Sequence, residues 1–225
     1  MKRILFFIFL AVSTGFHAES PSFKQGEDLY LYDKPAEARP YLEKAITEDP
    51  TNELAYLHLG IVYQQLKEPK KAVAILKRGL NVSSLYTEQF HYDIGMNFLS
   101  QNEYTFAEQS FTDAIEVNPQ LAPAYRDRAN ARMELAKYDG AVADYTLFLQ
   151  LKPDDPQRPQ IEELLRRLGL RLDALARKDA EEAARQKALM DSVLDSLKNA
   201  SEDTKNVSVE SLKFKQNPED VDIED

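Results

Sequence analysis

Small and aromatic residues recur in this chain with a period of about 34 positions, and that repetition limits the possible folds more than any other feature. Gly26, Leu29, Ala38, Leu42, Ala45 and Pro50 form one copy, and Tyr56, Leu59, Gly60, Tyr63, Ala72 and Leu76 a second. Ile94, Gly95, Phe98, Tyr104, Ala107, Phe111, Ala114 and Pro119 form a third, and the stretch from Ala122 to Asp155 a fourth. One extra residue separates the second copy from the third, near Ser84 to Thr87. Within each copy the apolar residues keep helical spacing, as with Tyr125, Ala129 and Arg132 before the Asp139-Gly140 turn and Ala141, Tyr145 and Phe148 after it. Ser20 with Pro21 reads as a helix start, and Pro35 and Pro69 open second helices where a missing N–H costs nothing. Pro153 ends the last helix. A glycine inside a helix costs about 1 kcal/mol against alanine, so Gly26, Gly60 and Gly95 mark places where two helices approach closely. Each helix pair is too small to bury its own apolar face, and the fold follows from stacking the pairs.

These residues resemble the tetratricopeptide repeat: an aromatic, Leu-Gly, Tyr, then Ala, Phe, Ala and a closing Pro. The third copy keeps nearly all of the pattern, with His91 for the opening aromatic. The first has Ser22 at that place, and the second has Gly79 for the late alanine and Ser84 for the proline. In the fourth, Ala129 replaces the glycine and Arg132 the tyrosine, and Phe148 stands where the family prefers alanine. The resemblance implies an all-α fold, a right-handed solenoid of four helix-turn-helix repeats at 19–52, 53–86, 88–121 and 122–155. After Pro156 and Pro159 the period gives way to a 4-3 spacing through Ile161, Leu165, Leu168, Leu172 and Leu175. This reads as a C-terminal capping helix, or as the seam of a homo-oligomer through 161–175, with Phe148 a candidate knob for it to cover. Residues 156–199 are expected to be capping and extended charged helix, and 200–225 an acidic disordered tail.

The first 18 residues read as a signal peptide. Lys2 and Arg3 supply the positive start, Ile4 to Val12 the apolar run, and cleavage after Gly15 or after Ala18 is compatible with the residues there. The run is too short for a membrane span, which needs about 20 residues. The expected location is the periplasm of a bacterium with two membranes. With no cysteine in the chain, a lipid-anchored N-terminus, disulfides and a thiolate site are excluded.

A formal charge of −10 speaks against nucleic acid as partner, since phosphates require a basic footprint. The three histidines are His17, in the export segment, and His58 and His91, on first helices. No phosphate loop, zincin helix or nucleophile elbow is present, so no catalysis, cofactor or metal is expected.

What remains is surface. In the family, positions just after the opening aromatic and after the Leu-Gly pair line a concave groove. Carried over, these are Phe23 and Glu27, Leu57 and Ile61, Tyr92 and Met96, and Arg126 and Asn130. One turn further on stand Tyr30, Gln64, Leu99 and Met133. A shift of phase by one would put some of them in the core. The family's carboxylate clamp is not matched, because Leu57, Ile61 and Tyr92 stand where it needs polar groups. The groove is expected to be apolar in its middle and polar at Arg126 and Asn130, and to take a peptide or helix segment of another envelope protein. Two alternatives remain: a small apolar ligand held in the groove, or a structural homo-oligomer. The patch from Leu189 to Leu197 could also fold back into the groove.

Overall fold

Asp33, Lys67, Asn102 and Ala136 have left-handed backbones, with φ of 54°, 58°, 60° and 56°, and each sits between the two helices of one repeat. In every case the next residue donates its N–H to a carbonyl five positions back: Lys34 to Leu29, Glu68 to Tyr63, Glu103 to Phe98 and Lys137 to Arg132. This closes the last turn of the first helix and reverses the chain. The steps between these four residues reproduce the repeat, including the extra residue before the third copy.

The computed structural model describes residues 20–214, with side chains described as far as 202. The expected signal peptide at 1–18 and the last eleven residues of the expected tail lie outside them. The elements are α1 (Pro21–Leu31), α2 (Pro35–Glu48), α3 (Glu53–Gln65), α4 (Pro69–Leu80), α5 (Thr87–Ser100), α6 (Tyr104–Val117), α7 (Ala122–Glu134), α8 (Tyr138–Leu151) and α9 (Arg158–Phe214). No strand occurs among the described residues. Ser20 caps α1 by accepting the Phe23 N–H at 3.0 Å, and Asn52 caps α3 by accepting that of Ala55 at 3.0 Å.

From α1 to α8 each helix packs on the next in sequence, and the first helices of successive repeats also touch: α1 on α3, α3 on α5, α5 on α7. This is the stacked solenoid of helix pairs that the repeat implies. A methyl group on Gly60 would sit 2.6 Å from Leu76 Cγ, and one on Gly79 would meet the Phe90 ring and come within 2.8 Å of Tyr56 Cβ. Gly79 is therefore where a ring of the third repeat enters the second. The extra residue before the third copy falls in a loop organised by Glu53. Its carboxylate accepts the Ser83 hydroxyl at 3.0 Å, the Ser84 hydroxyl at 2.7 Å and the Leu85 and Tyr86 N–H groups at 3.1 and 3.3 Å.

The third and fourth repeats join through charge. Asp144 is 1% exposed and takes a two-pronged contact from Arg128 at 2.9 and 2.7 Å and a third bond from Arg132 at 2.8 Å. Arg132 also reaches Glu108 on α6 at 2.9 Å, and Lys137 meets the same carboxylate at 2.6 Å. Arg128 and Arg132, the latter a departure from the repeat pattern, thus share one buried acid on α8.

The chain divides into a unit running to Leu165, which holds all four repeats, and a second unit from Arg166. Within the first, Ile161, Leu164 and Leu165 at the start of α9 join the cluster formed by Tyr125, Ala129, Tyr145, Phe148 and Leu149. These residues cover the end of the fourth repeat, and Phe148 is buried in the same cluster. Ile161 and Leu165, expected at the head of an oligomer seam, serve this intramolecular core. One expectation is corrected: α9 continues without interruption to Phe214, so 200–214 are helical rather than disordered. Extending an existing helix avoids the nucleation penalty, so a polar segment continues a helix that it could not start.

Candidate functional site

The side-by-side packing of α1, α3, α5 and α7 brings one face of each first helix to a shared surface. Of the expected lining residues, Glu27, Ile61, Gln64, Tyr92, Met96, Leu99, Arg126 and Met133 are half-buried there, and Asn130 is exposed. Phe23 and Leu57 are corrected to core, at 1% and 4% exposure. Ser22 occupies the opening aromatic position of the first copy, and Phe23 fills the space instead, stacked at 5.8 Å on the His58 ring. Leu57 joins the same cluster, which runs from α1 through α5.

His58 has Tyr30 stacked on it at 4.7 Å, and its Nδ1 has no hydrogen-bond partner. Burial lowers its pKa against the opposing pull of Glu27, so the ring is neutral at pH 7. Burial likewise raises Tyr30. One repeat on, Asp93 is 6% exposed, accepts one bond from Gln89 at 3.0 Å, and has a second oxygen without a partner. Burial pushes its pKa up to about 6, the Gln89 bond opposing.

At the C-terminal end the polar groups are tied together. Asp127, 4% exposed, accepts the Tyr92 hydroxyl at 2.8 Å, two Arg126 N–H groups at 3.0 and 3.2 Å and the Asn130 amide at 3.4 Å. Tyr145 donates to the Asn130 carbonyl oxygen at 2.6 Å. Burial, with the Asp127 charge, raises the pKa of Tyr92 and of Tyr145, so both stay protonated. Arg126 and Asn130, the pair expected to orient a partner, are therefore held in place before any partner arrives. The Arg126 guanidinium also lies 5.7 Å from the centre of the Phe148 ring.

Two adjoining clefts open here. One of about 530 Å³ is bounded by Arg126, Asn130, Tyr145, Gln160, Ile161 and Leu164 among others. The second, of about 440 Å³, takes in Leu99, Tyr104, Met133 and Glu134 and shares Asn130, Tyr145 and Leu164 with the first. The sequence reading missed Asp127, Tyr145, Gln160 and Leu164. A signal for two of them was available, because Gln160 and Leu164 stand one 34-residue period after Arg126 and Asn130. The start of α9 thus presents the groove positions of a further first helix, although the rest of the repeat pattern has ended. Among the described residues no cluster of His, Cys, Asp and Glu has metal-binding geometry, and no helix is long and apolar enough to cross a membrane.

The sequence pattern of the tetratricopeptide repeat family matches residues 29–83. Among curated proteins, the chain is 32% identical over 104 residues to the human Superkiller complex protein 3, covering 46% of this chain and 7% of that protein. Among solved structures, it superposes on the MamA protein with a TM-score of 0.60 at 22% identity, covering 68% of this chain and 84% of the other. It superposes on the first repeat domain of Spaghetti (RPAP3), bound to the HSP90 peptide SRMEEVD, with a TM-score of 0.50 at 22% identity over 56% of this chain and 96% of that one. The chain spans well under a fifth of the length of the curated relatives it matches, so the likeness concerns the repeats and the fold.

Proposed function

The chain is a tetratricopeptide repeat protein, and from that premise we propose that it is a non-enzymatic scaffold that binds a segment of another protein along the face of its first helices. The observation that carries this reading is the pair of adjoining clefts around Asn130, lined by Leu99 and Met133 on one side and by Arg126, Gln160 and Leu164 on the other. Methionine and leucine supply adaptable apolar contact on the first side. Amide, hydroxyl and guanidinium groups on the second suit the main-chain and side-chain polar groups of a peptide. A solved relative of the same fold holds a peptide, which supports the same use here.

The lining favours a peptide over a small apolar ligand, because Arg126, Asn130, Gln157 and Gln160 contribute to the larger cleft and both clefts open to solvent. Residues 1–18 support export, and the partner is then another protein of the bacterial envelope. A photoreactive residue at the exposed Asn130 position should crosslink one dominant protein partner in the native cell. Replacing Met96 and Gln160 with alanine should weaken capture of that partner at least tenfold while the helical signal and melting temperature hold. Loss of capture on Met96→Ala with none on Gln160→Ala would favour the small apolar ligand instead.

A further inference from the structure

The first helices of the four repeats end differently. α1 ends on Leu31, α3 on Gln65 and α5 on Ser100, whereas α7 ends on Glu134. A carboxylate there stands at the negative end of the helix dipole, where a cation is the favoured neighbour. Among the described residues Glu134 has neither an ion-pair nor a hydrogen-bond partner. The cations close to it in sequence are committed elsewhere. Arg132 reaches Glu108 at 2.9 Å and Asp144 at 2.8 Å, and Lys137 meets Glu108 at 2.6 Å. Glu134 is exposed, and it lines the smaller of the two clefts, of about 440 Å³. We propose that this cleft takes a basic side chain, lysine or arginine, from the protein segment bound in the groove, with Glu134 as its counter-ion. The assignment rests on the reading of the groove as a segment-binding surface and adds the charge of the residue that enters it.

The lining chemistry points the same way. Glu134 is the one formally charged group among the described residues that line this cleft. The Tyr104 hydroxyl already donates to Asn102 Oδ1 at 3.0 Å, and the Tyr145 hydroxyl to Asn130 Oδ1 at 2.6 Å. With those protons spent, both hydroxyls offer a ligand only lone pairs. An acidic side chain would meet a carboxylate and these acceptors. An ammonium or guanidinium carries donors alone and suits them. The amides of Asn102 and Asn130 keep N–H groups, which fit the main-chain carbonyls beside such a side chain. Leu99, Met133 and Leu164 add apolar wall, and a long basic side chain lays its aliphatic stem on such a surface while its charged tip stays wet. In the larger cleft the charge is balanced from within, because Arg126 donates to Asp127 at 3.0 and 3.2 Å. The uncompensated charge lies in the smaller one.

The test uses the full chain, with a phage-displayed library of random twelve-residue peptides as the probe. Peptides selected on the parent chain should be enriched in lysine or arginine over the unselected library. Selection on Glu134→Gln should still yield binders but lose that enrichment, and selection on Glu134→Lys should turn to aspartate and glutamate. Glu116→Gln makes the same change of net charge at an exposed position outside the cleft and should keep the basic enrichment. For one selected peptide, replacing its basic residue with alanine and replacing Glu134 with glutamine should each weaken binding about three- to fivefold. The two changes together should weaken it no further. Binders without basic enrichment, or enrichment that survives in Glu134→Gln, overturn the assignment and leave segment binding standing. A library that yields no binder on the parent chain overturns segment binding and the assignment with it.

Discussion

At the residue scale, two carboxylates show how burial and hydrogen bonding pull in opposite directions. Glu53 is pushed up by burial, but bonds from Ser84, Leu85 and Ser83 outweigh this and hold its pKa at about 2. Its folded value lies below its unfolded one, so its contribution is present above about pH 4.5 and fades as pH falls toward 2. Asp93 is the reverse case, raised by burial from 3.8 to about 6. Its ionised form is disfavoured in the folded state, so stability declines as pH rises through about 4 to 6 and the deficit is complete above that. Asp93→Asn should therefore raise stability on the order of 2 kcal/mol at pH 8 and leave it nearly unchanged at pH 4. Denaturant titrations at the two pH values measure this, and an equal effect at both would mean that the charge is not the cause. Neither carboxylate was singled out from sequence. Asp93 sits at helical spacing among groove residues, and only the packing of α5 shows that it is buried. Phe23 and Leu57 were misplaced for the related reason that spacing finds a face of a helix but not how deeply a neighbour covers it.

At the element scale, the helix pairs were legible because the repeats carry their own boundaries: prolines at the start of the second helix in the first two, small residues at the crossings and a fixed turn length. Arg128 and Arg132 were not, since their meaning lies sixteen and twelve residues away at Asp144. A buried ion pair gains little over an apolar contact, yet removing one partner leaves an uncompensated charge. Asp144→Ala should accordingly destabilise the chain by about 3–5 kcal/mol, seen as a lower denaturation midpoint. Adding Arg128→Leu and Arg132→Tyr, which returns α7 to the family pattern, should recover most of that loss. Failure of the triple variant to recover would show that Glu108 and Thr112, the other partners of these arginines, depend on the charge as well. The last turns of α9 were missed at this scale for a different reason. The polar, acidic stretch from 200 onward has no apolar stripe, so spacing alone gave no ground for continuing the helix to Phe214.

At the scale of the whole molecule, a stacked-repeat protein is a line of units, each stabilised by its neighbours, and its ends are where that line is weakest. The fourth repeat ends on Tyr145, Phe148 and Leu149, all below 9% exposure, and the residues that share their cluster from beyond the repeat are Ile161, Leu164 and Leu165. Full burial of a large apolar side chain contributes about 1.5–3 kcal/mol. With Ile161 buried and Leu164 and Leu165 half-buried, losing this cap costs roughly 3–6 kcal/mol. That is a large part of the net stability of a domain this size, about 5–15 kcal/mol. Ile161 and Leu164 also line the larger cleft, which couples the stability of the end to the shape of the site. A chain ending at residue 155 should melt at least about 5 °C lower than the full chain and bind a dye specific for exposed apolar surface. One ending at residue 175 retains Ile161, Leu164 and Leu165 and should do neither. Partner capture through Asn130 should follow the same division, lost in the shorter chain and kept in the longer. If the chain ending at 155 melts with the full-length protein, the start of α9 is not the cap of this solenoid, and its place in the groove has to be explained by partner binding alone.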